Sequence, residues 1–224
     1  MEPTDYNQKK YAEGRFTWGE ITGLVRSFQD KCGLTPDGMF GPKSKAALHT
    51  QMSPLSAMSI TDPASSRLGL AALQVAKDNI GQGEEGGNNS GPFVEMVLGK
   101  VYDGDPDDDG SWCAGFVSWC FEEAARGLGV SLPFNRSLGA KKLFRNIRLA
   151  GTLVDTPAPG DVVCWDRGQP GSWQGHIGFV SRVSGGILYT VEGNVGTFPS
   201  KVREFQHDLS RQGRLEGFAR PPAV

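Results

Sequence analysis

A cysteine and a histidine occupy positions where they could act together as nucleophile and base. Cys113 begins a stretch of helical periodicity, and the unpaired N–H groups and the dipole of a first helical turn favour a thiolate. His176 begins a strand pattern between Gly175 and Gly178, and the missing side chains of these glycines leave room for a substrate. These residue types in this order predict attack of a thiolate on a carbonyl carbon, with the imidazole transferring the proton.

A third polar group beside the histidine would complete such a site. Glu192 and Asn194 end the strand that follows His176, so a hairpin would bring either side chain to the imidazole and fix its tautomer and orientation. The residue pattern leaves both candidates open. The other histidines, His49 and His207, fall in the N-terminal region and in a polar segment, which makes His176 the best-placed base.

In the part of the chain that carries these residues, helices come first and strands follow. Apolar residues recur at helical spacing over residues 111–127, and a further helix is predicted over residues 138–149. From residue 160 onward, short β-type runs alternate with glycine-rich turns. They predict strands at residues 161–165, 177–183, 187–192 and 215–219. This order predicts an α+β domain in which helices pack on an antiparallel sheet.

Four short segments around these residues form a specific combination of motifs. They are residues 112–120 (WCAGFVSWC), 159–163 (PGDVV), 175–180 (GHIGFV) and 191–194 (VEGN). Together they resemble the CHAP family of cysteine, histidine-dependent amidohydrolases and peptidases. In order, they resemble its nucleophile helix, the strand before its histidine, its histidine strand and the Glu-Gly-Asn end of the next strand.

The resemblance covers roughly residues 68–220 and implies a papain-like fold. It also implies Cys113 as nucleophile, His176 as base, and Glu192 with Asn194 as orienting residues. The implied reaction is acyl transfer, in which the thiolate attacks an amide carbonyl, a backbone N–H at the helix start holds part of the oxyanion, and water clears the thioester. This scheme requires no metal.

The same resemblance suggests a substrate and a groove. The expected substrate is an amide bond in the peptide portion of bacterial peptidoglycan, cut by an amidase or an endopeptidase, and the sequence leaves the particular bond open. Trp112 and Trp173 are candidates for lining the substrate groove, because a large aromatic ring can cover apolar parts of a ligand.

An acidic segment immediately precedes the nucleophile. Asp105, Asp107 and Asp109, followed by Gly110, match the first half of a calcium loop, in which oxygens at positions 1, 3 and 5 come before a glycine turn. Phe116 stands where such a loop has its bidentate glutamate. Some CHAP domains carry a calcium site at this place, so calcium is one interpretation, and an ordinary solvated acidic turn is the other.

The N-terminal region resembles a second family. Residues 32–48 (CGLTPDGMFGPKSKAAL) are similar to the signature of the small helical peptidoglycan-binding domain, and a predicted helix with a Thr17–Glu20 capping box comes before them. A helical hairpin that only packs on the rest of the chain is the alternative. The predicted organisation is a tail (1–16), an all-α peptidoglycan-binding unit (17–52), a Ser/Pro/Ala-rich linker (53–66) and a CHAP-like catalytic domain (67–224).

Charge and hydropathy exclude some functions and set an expectation for location. The chain has 23 Lys and Arg against 25 Asp and Glu, with no basic stripe to neutralise nucleic-acid phosphates. No apolar run approaches the ~20 residues that a membrane span needs, and the first residues do not resemble a secretory signal. We therefore expect cytoplasmic synthesis and action on the wall in the periplasm after release or injection, as a phage endolysin or an antibacterial effector. An effector would have an immunity protein as partner. We expect a monomer.

Three other interpretations fit parts of the sequence. The second domain could be a degenerate hydrolase in a non-catalytic wall-binding protein. Cys113, Cys120, Cys164 and His176 could bind zinc, although their spacing contains no short Cys-x₂₋₄-Cys pair. A cysteine amidase acting on a small metabolite would use the same catalytic groups, but it would have no need of a wall-binding unit.

Overall fold

A computed structural model describes most of the chain. The described residues are 18–41, 43–44, 47–48, 65–99, 111–169, 171–211 and 213–224. The chain folds into two compact units, Met1–Ser59 and Ile60–Val224, which divide inside the stretch predicted as a linker. In the described ranges, no helix is both long and apolar enough to cross a membrane.

The first unit is organised by a buried glutamine. Helix α1 spans Trp18–Lys31, and Gln29 near its end is only 3% exposed. Its side-chain amide donates to Asp37 (2.8 Å) and to the carbonyl of Met39 (3.0 Å), and its Oε1 accepts from the backbone N–H of Gly38 (2.8 Å). Gly38 has φ of +78°, a left-handed conformation that favours glycine. One side chain of α1 therefore fixes the turn at Asp37 and Gly38.

The helices of the second unit come before its sheet in the chain. They are α2 (Arg67–Asp78), α3 (Pro92–Leu98), α4 (Cys113–Leu128) and α5 (Ala140–Ala150). Helix α4 is the central one, because ten of its residues are buried. It ends at Gly129, whose left-handed φ of +70° closes the helix as glycine commonly does.

The sheet is antiparallel and has six strands. They are β1 (Thr152–Val154), β2 (Val162–Asp166), β3 (Gly175–Ser184), β4 (Ile187–Val195), β5 (Lys201–Asp208) and β6 (Leu215–Arg220). Their order across the sheet is β1-β6-β2-β3-β4-β5. The structure confirms the predicted α+β class and adds β1 and β5, the two edge strands.

Both faces of the sheet are covered by apolar side chains. Helix α4 packs on one face, where the rings of Phe121 and Phe179 are 5.2 Å apart. Because successive side chains of a strand point to opposite faces, Val180 lies on the other face. There it packs in a small core with four more residues, Val163, Trp165, Leu188 and Phe218. The central strands β2, β3 and β4 are thus held from both sides, which makes them a rigid platform for functional groups.

The Pro-Gly-Asp motif before β2 has a structural role. Asp161 is fully buried and forms two hydrogen bonds with the guanidinium of Arg220, at 2.8 and 2.9 Å. The motif's Gly160 has φ of +87°, and a Cβ at this position would lie 2.5 Å from the backbone of Gly69 in α2. The motif therefore joins α2, β2 and β6 and does not carry chemistry itself.

Candidate active site

Helix α4 places the thiol of Cys113 in its first turn. Cys113 is the first residue of the helix and 4% exposed. The helix start is fixed by Trp112, whose Nε1 donates to Glu84 (3.3 Å), while the second oxygen of Glu84 accepts from the backbone N–H of Ser200 (2.6 Å). A buried carboxylate thus connects the start of α4 to the chain just before β5.

The prediction that Trp112 lines the substrate groove is wrong. Its side chain is fully buried and packs edge-to-face against the rings of Phe93 and Phe116, at 6.0 and 6.4 Å. A Cβ added at Gly193 would come within 2.7 Å of this indole. Because the ring is enclosed by α3, α4 and β4, Trp112 holds the start of the nucleophile helix in place and is not available to contact a ligand.

Neighbouring strands bring His176 and Glu192 together. His176 Nε2 lies 2.8 Å from Glu192 Oε2, and the two side chains are 4% and 2% exposed. Gly178 makes this contact possible, since a Cβ there would stand 2.6 Å from Glu192 Cγ. The space beside Gly178, which the sequence suggested was left for substrate, is therefore filled by the carboxylate that contacts the imidazole.

Asn194 is not brought to the imidazole in the same way. It is half-buried, with φ of +60°, and within the described parts of the chain its side chain makes no hydrogen bond to His176. Of the two candidates for orienting the imidazole, the structure places Glu192 in contact with it.

The thiol and the imidazole favour their charged forms. Burial raises the pKa of Cys113, but the neighbouring imidazole of His176 and its charge, the charge of Arg167 and the backbone N–H of Ile177 outweigh burial and lower it. Burial lowers the pKa of His176, but the neighbouring thiol of Cys113 and the hydrogen bond to Glu192 raise it to about 9. The arrangement is thus suited to a thiolate–imidazolium pair.

The nitrogen that faces the thiol follows from the contacts. Because Nε2 of His176 is engaged by Glu192, Nδ1 is the nitrogen available to Cys113. Nδ1 is buried and has no hydrogen bond of ordinary geometry to the described groups around it. Such contacts are often long before a substrate binds, so Nδ1 is free to share or transfer a proton.

Glu192 has a second histidine partner that the sequence interpretation missed. His207 Nε2 lies 2.7 Å from Glu192 Oε1, and Thr190 also donates to that oxygen. Burial raises the pKa of Glu192, but its bonds to His176, His207 and Thr190 lower it to about 2. The sequence pattern indicates only a polar segment around His207, whereas the structure places this residue in the edge strand β5. The signal in the sequence that could have indicated this strand is the turn at residues 196–199, which begins with Gly196, ends with Pro199 and separates two β-type runs.

A cleft of about 270 Å³ opens beside the thiol. Its wall includes Trp173, which is 58% exposed, together with Arg167 and Gln174 from the loop between β2 and β3. Lys141 of α5 anchors this loop, because its ammonium group pairs with Asp166 and donates to the carbonyl of Ser172. Trp173 therefore lies on the surface of the cleft beside the thiol, and its contact with a substrate stays a prediction.

The candidate calcium ligands and the other two cysteines of the second unit are not part of this site. Asp105, Asp107 and Asp109 lie outside the described residues. Within the described ranges, no group of His, Cys, Asp and Glu side chains is arranged to hold a metal ion. Burial raises the pKa of Cys120 well above its usual range, and burial, followed by the charge of Glu216, raises that of Cys164 to about 12.

Comparison with known proteins assigns the segment that carries this site. The CHAP domain family model matches residues 105–194, a range that contains Cys113, His176 and Glu192. This segment therefore matches the CHAP domain model, and the expected fold of helices packed on an antiparallel sheet is confirmed.

Two solved structures are similar to this chain. They are the crystal structure of Ly7917 (TM-score 0.43) and the crystal structure of Ly7917 with the hydrolyzing product of MDP (TM-score 0.42), each at 19% identity. Each match covers 69% of this chain, and 62% and 63% of the respective solved chains. The chain thus spans less than two thirds of the length of these proteins. No curated protein matches the chain significantly.

Proposed function

We propose that the second unit is a cysteine hydrolase that cleaves an amide bond in the peptide portion of peptidoglycan. The observation that carries the proposal is that His176 bonds to Glu192 and acts on the thiol of Cys113, all three inside a segment matched by the CHAP family model. A nucleophile, a base and a group that orients the base are the three parts that acyl transfer requires.

The reaction follows from the contacts. The thiolate of Cys113 attacks the amide carbonyl, and the oxyanion is stabilised by first-turn N–H groups, which have no acceptor within the helix. His176 passes its Nδ1 proton to the leaving amine, which leaves a thioester on Cys113. His176 then takes a proton from water, the hydroxide displaces the thiolate, and the acid product departs with the imidazolium restored.

The charge of the cleft supports a wall peptide as substrate. Among the described residues that line the cleft, Arg167 is the sole cation and no acidic side chain is present. Arg167 is exposed, and a guanidinium recognises carboxylates through paired N–H groups. Stem peptides of peptidoglycan carry carboxylates close to their amide bonds, so we propose that Arg167 binds one of them. A neutral metabolite amide would make no use of this charge.

The first unit is proposed to bind the wall. Its Asp-Gly turn, which matches the peptidoglycan-binding signature, is fixed by Gln29, and Met39 and Phe40 beyond the turn are 68% and 49% exposed. Exposed apolar side chains next to a rigid turn suit contact with a ligand. The full-length Cys113→Ala protein is therefore expected to sediment with purified sacculi, and the further change Met39→Ser is expected to weaken sedimentation.

Digestion of purified sacculi tests the proposed function. Wild-type protein is expected to release fragments whose masses identify the bond that is cut, and Cys113→Ala protein is expected to release none. Cys120→Ala is the matched control, since it removes another thiol of the same helix. No release by the wild type, with the protein sedimenting alongside the sacculi, would leave a non-catalytic wall-binding protein and refute the proposal.

The place of action is proposed to be the periplasmic side of the wall, reached by release from a phage-infected cell or by injection from a neighbour. Expression in bacteria with and without an added export signal tests this. Lysis by the exported form alone, and its loss in exported Cys113→Ala, is the expected result. Lysis by the form without the signal would contradict the proposed compartment, and protection by an adjacent gene product would favour an effector over an endolysin.

A further inference from the structure

The carboxylate of Glu192 is fixed from two sides. Oε2 is bonded to His176 at 2.8 Å, and Oε1 is bonded to His207 at 2.7 Å and to the hydroxyl of Thr190. The side chain is 2% exposed. Hydrogen bonds to an ionised group are roughly twice as strong as neutral ones, so these contacts restrict the carboxylate to one rotation about its terminal bond.

Both imidazoles must donate to this carboxylate. With a pKa of about 2, Glu192 is ionised at neutral pH and can only accept hydrogen bonds. His176 and His207 therefore each carry a proton on Nε2. For His176 this leaves Nδ1 to exchange a proton with Cys113, and for His207 it makes the ring a donor in either charge state.

His207 is itself held in place. It lies on β5 opposite Leu188 of β4, and its ring centroid is 4.8 Å from that of Trp165 and 6.3 Å from that of Phe205. Trp165 also lies against the ring of His176, at 5.8 Å. The two imidazoles thus share one indole and one carboxylate.

We propose that His207 is a positioning residue of the site, which holds Oε1 of Glu192 so that Oε2 faces Nε2 of His176. This inference rests on the proposed function, because it assigns to His207 a part in the proton transfers of the same site. Without the bond to His207, the carboxylate could turn away from His176, and the base would lose the contact that fixes its tautomer. His207 acts through Glu192 and does not touch the reacting atoms.

Two substitutions at His207 and one neighbouring control test the proposal. His207→Phe keeps a ring against Trp165 but removes the N–H, whereas His207→Gln keeps an N–H donor. Phe205→Leu changes another side chain of β5 that packs on His207 but has no bond to Glu192. For each protein, two quantities are measured: the kcat and KM for release of wall fragments, and the pH midpoint for alkylation of Cys113 by iodoacetamide.

His207→Phe is expected to lower kcat about 10- to 100-fold with KM changed less than about threefold, and to move the alkylation midpoint of Cys113 upward. His207→Gln should recover most of both changes, and Phe205→Leu should stay near wild type. Unchanged kcat and midpoint in His207→Phe would overturn the proposal. Equal losses in the Phe, Gln and Phe205→Leu proteins would also overturn it, because they would indicate general packing.

The two measurements separate this proposal from the proposed function. If the wild-type protein releases no wall fragments, the proposed function fails, but the alkylation midpoint still reports whether His207 influences the thiol through Glu192. If the wild type is active and the midpoint is the same in all variants, the positioning role fails and the function stands.

Discussion

The first and third turns of helix α4 each carry a cysteine, and the two thiols behave in opposite ways. Cys113 and Cys120 are both buried, at 4% and 0% exposure. The pKa of Cys113 is lowered, whereas burial and the nearby charge of Glu123 raise the pKa of Cys120 well above its usual range. Burial is common to both, so it does not determine which thiol can react.

The pKa values of the two thiols differ because the two turns face different surroundings. The first turn presents unpaired N–H groups and faces His176, whose imidazolium is stabilised by Glu192. The third turn faces the apolar core and offers no cation among the described residues that affect Cys120. Cys113 is suited to act as a nucleophile because the fold brings the start of α4 next to the start of β3, which carries His176.

The largest effect is expected from removing the two thiols in turn. Cys113→Ala should reduce release of wall fragments by about 10⁴-fold or more, since loss of a nucleophile leaves only binding and oxyanion stabilisation. Cys120→Ala should retain activity within about threefold while lowering the free energy of unfolding by about 1 kcal/mol. Digestion rates and thermal unfolding measure both. Equal loss of activity in the two variants would contradict the distinction between the turns.

The next largest effect is expected from changing Glu192, whose carboxylate stabilises the imidazolium that faces Cys113. Glu192→Gln is expected to lower kcat about 10²- to 10⁴-fold, because a neutral amide neither stabilises the imidazolium nor enforces its tautomer. Asn194→Gly, two residues along β4, should lose less, since Asn194 makes no hydrogen bond to His176 among the described residues. Steady-state kinetics on soluble wall fragments decides between them. A larger loss in Asn194→Gly would assign the orienting role to the amide.

A smaller effect is expected from a methyl group added at Gly178. Gly178→Ala would place its Cβ 2.6 Å from Glu192 Cγ, so the carboxylate must shift and activity should fall about 10- to 100-fold. The matched control is Gly127→Ala in α4, where a Cβ meets no atom within 4 Å. That change should leave activity intact and stabilise the helix by about 0.5–1 kcal/mol. Wild-type activity in Gly178→Ala would show that the position of Glu192 is not critical.

The pH dependence of the cleavage rate should reflect the pKa values of Cys113 and His176. On the alkaline side, the rate should fall as pH rises through about 9, the pKa of His176, because the leaving amine then lacks its proton donor. On the acid side, the rate should fall as the thiolate of Cys113 is protonated, at a pH below the usual thiol range. A rate that increases steadily with pH beyond 9 would contradict this assignment.

The smallest effect is expected at the cleft cation. Arg167→Gln should raise the pKa of Cys113 modestly, since the Arg167 charge helps lower it, and should reduce the preference for a wall peptide with a free carboxylate over its carboxamide. Arg167→Lys should keep the charge effect on the thiol but bind the carboxylate less well. Matched synthetic peptides measure the preference. Equal cleavage of both peptides by the wild type would remove Arg167 from substrate recognition while leaving the cysteine chemistry intact.

Much of the central fold could be predicted from the sequence because its signals are local. The spacing of the apolar residues that form the core predicts helix α4 and the strands β2, β3, β4 and β6. The edge strands β1 and β5 were missed because an edge strand buries few side chains: in β5 only Val202 is buried. Strand pairing, which the sequence pattern does not display, is what defines them.

The site could be predicted only as far as local chemistry extends. The types and order of Cys113, His176 and Glu192 are visible in the sequence, whereas the buried role of Trp112 depends on Glu84 and Gly193, which are distant in the chain. His207 was missed for the same reason, because its partner Glu192 becomes a neighbour only through the pairing of β4 with β5.

The first turn of α4 and His176 together make Cys113 a thiolate. The most direct test is the rate of iodoacetamide modification of each cysteine against pH, followed by mass spectrometry of the peptides. Cys113 is expected to react first, with a midpoint below the usual thiol range that moves upward in His176→Gln, while Cys120 and Cys164 react only after unfolding. Modification of Cys113 no faster than that of Cys120, or a midpoint unchanged by loss of His176, would show that the helix start and His176 do not activate this thiol.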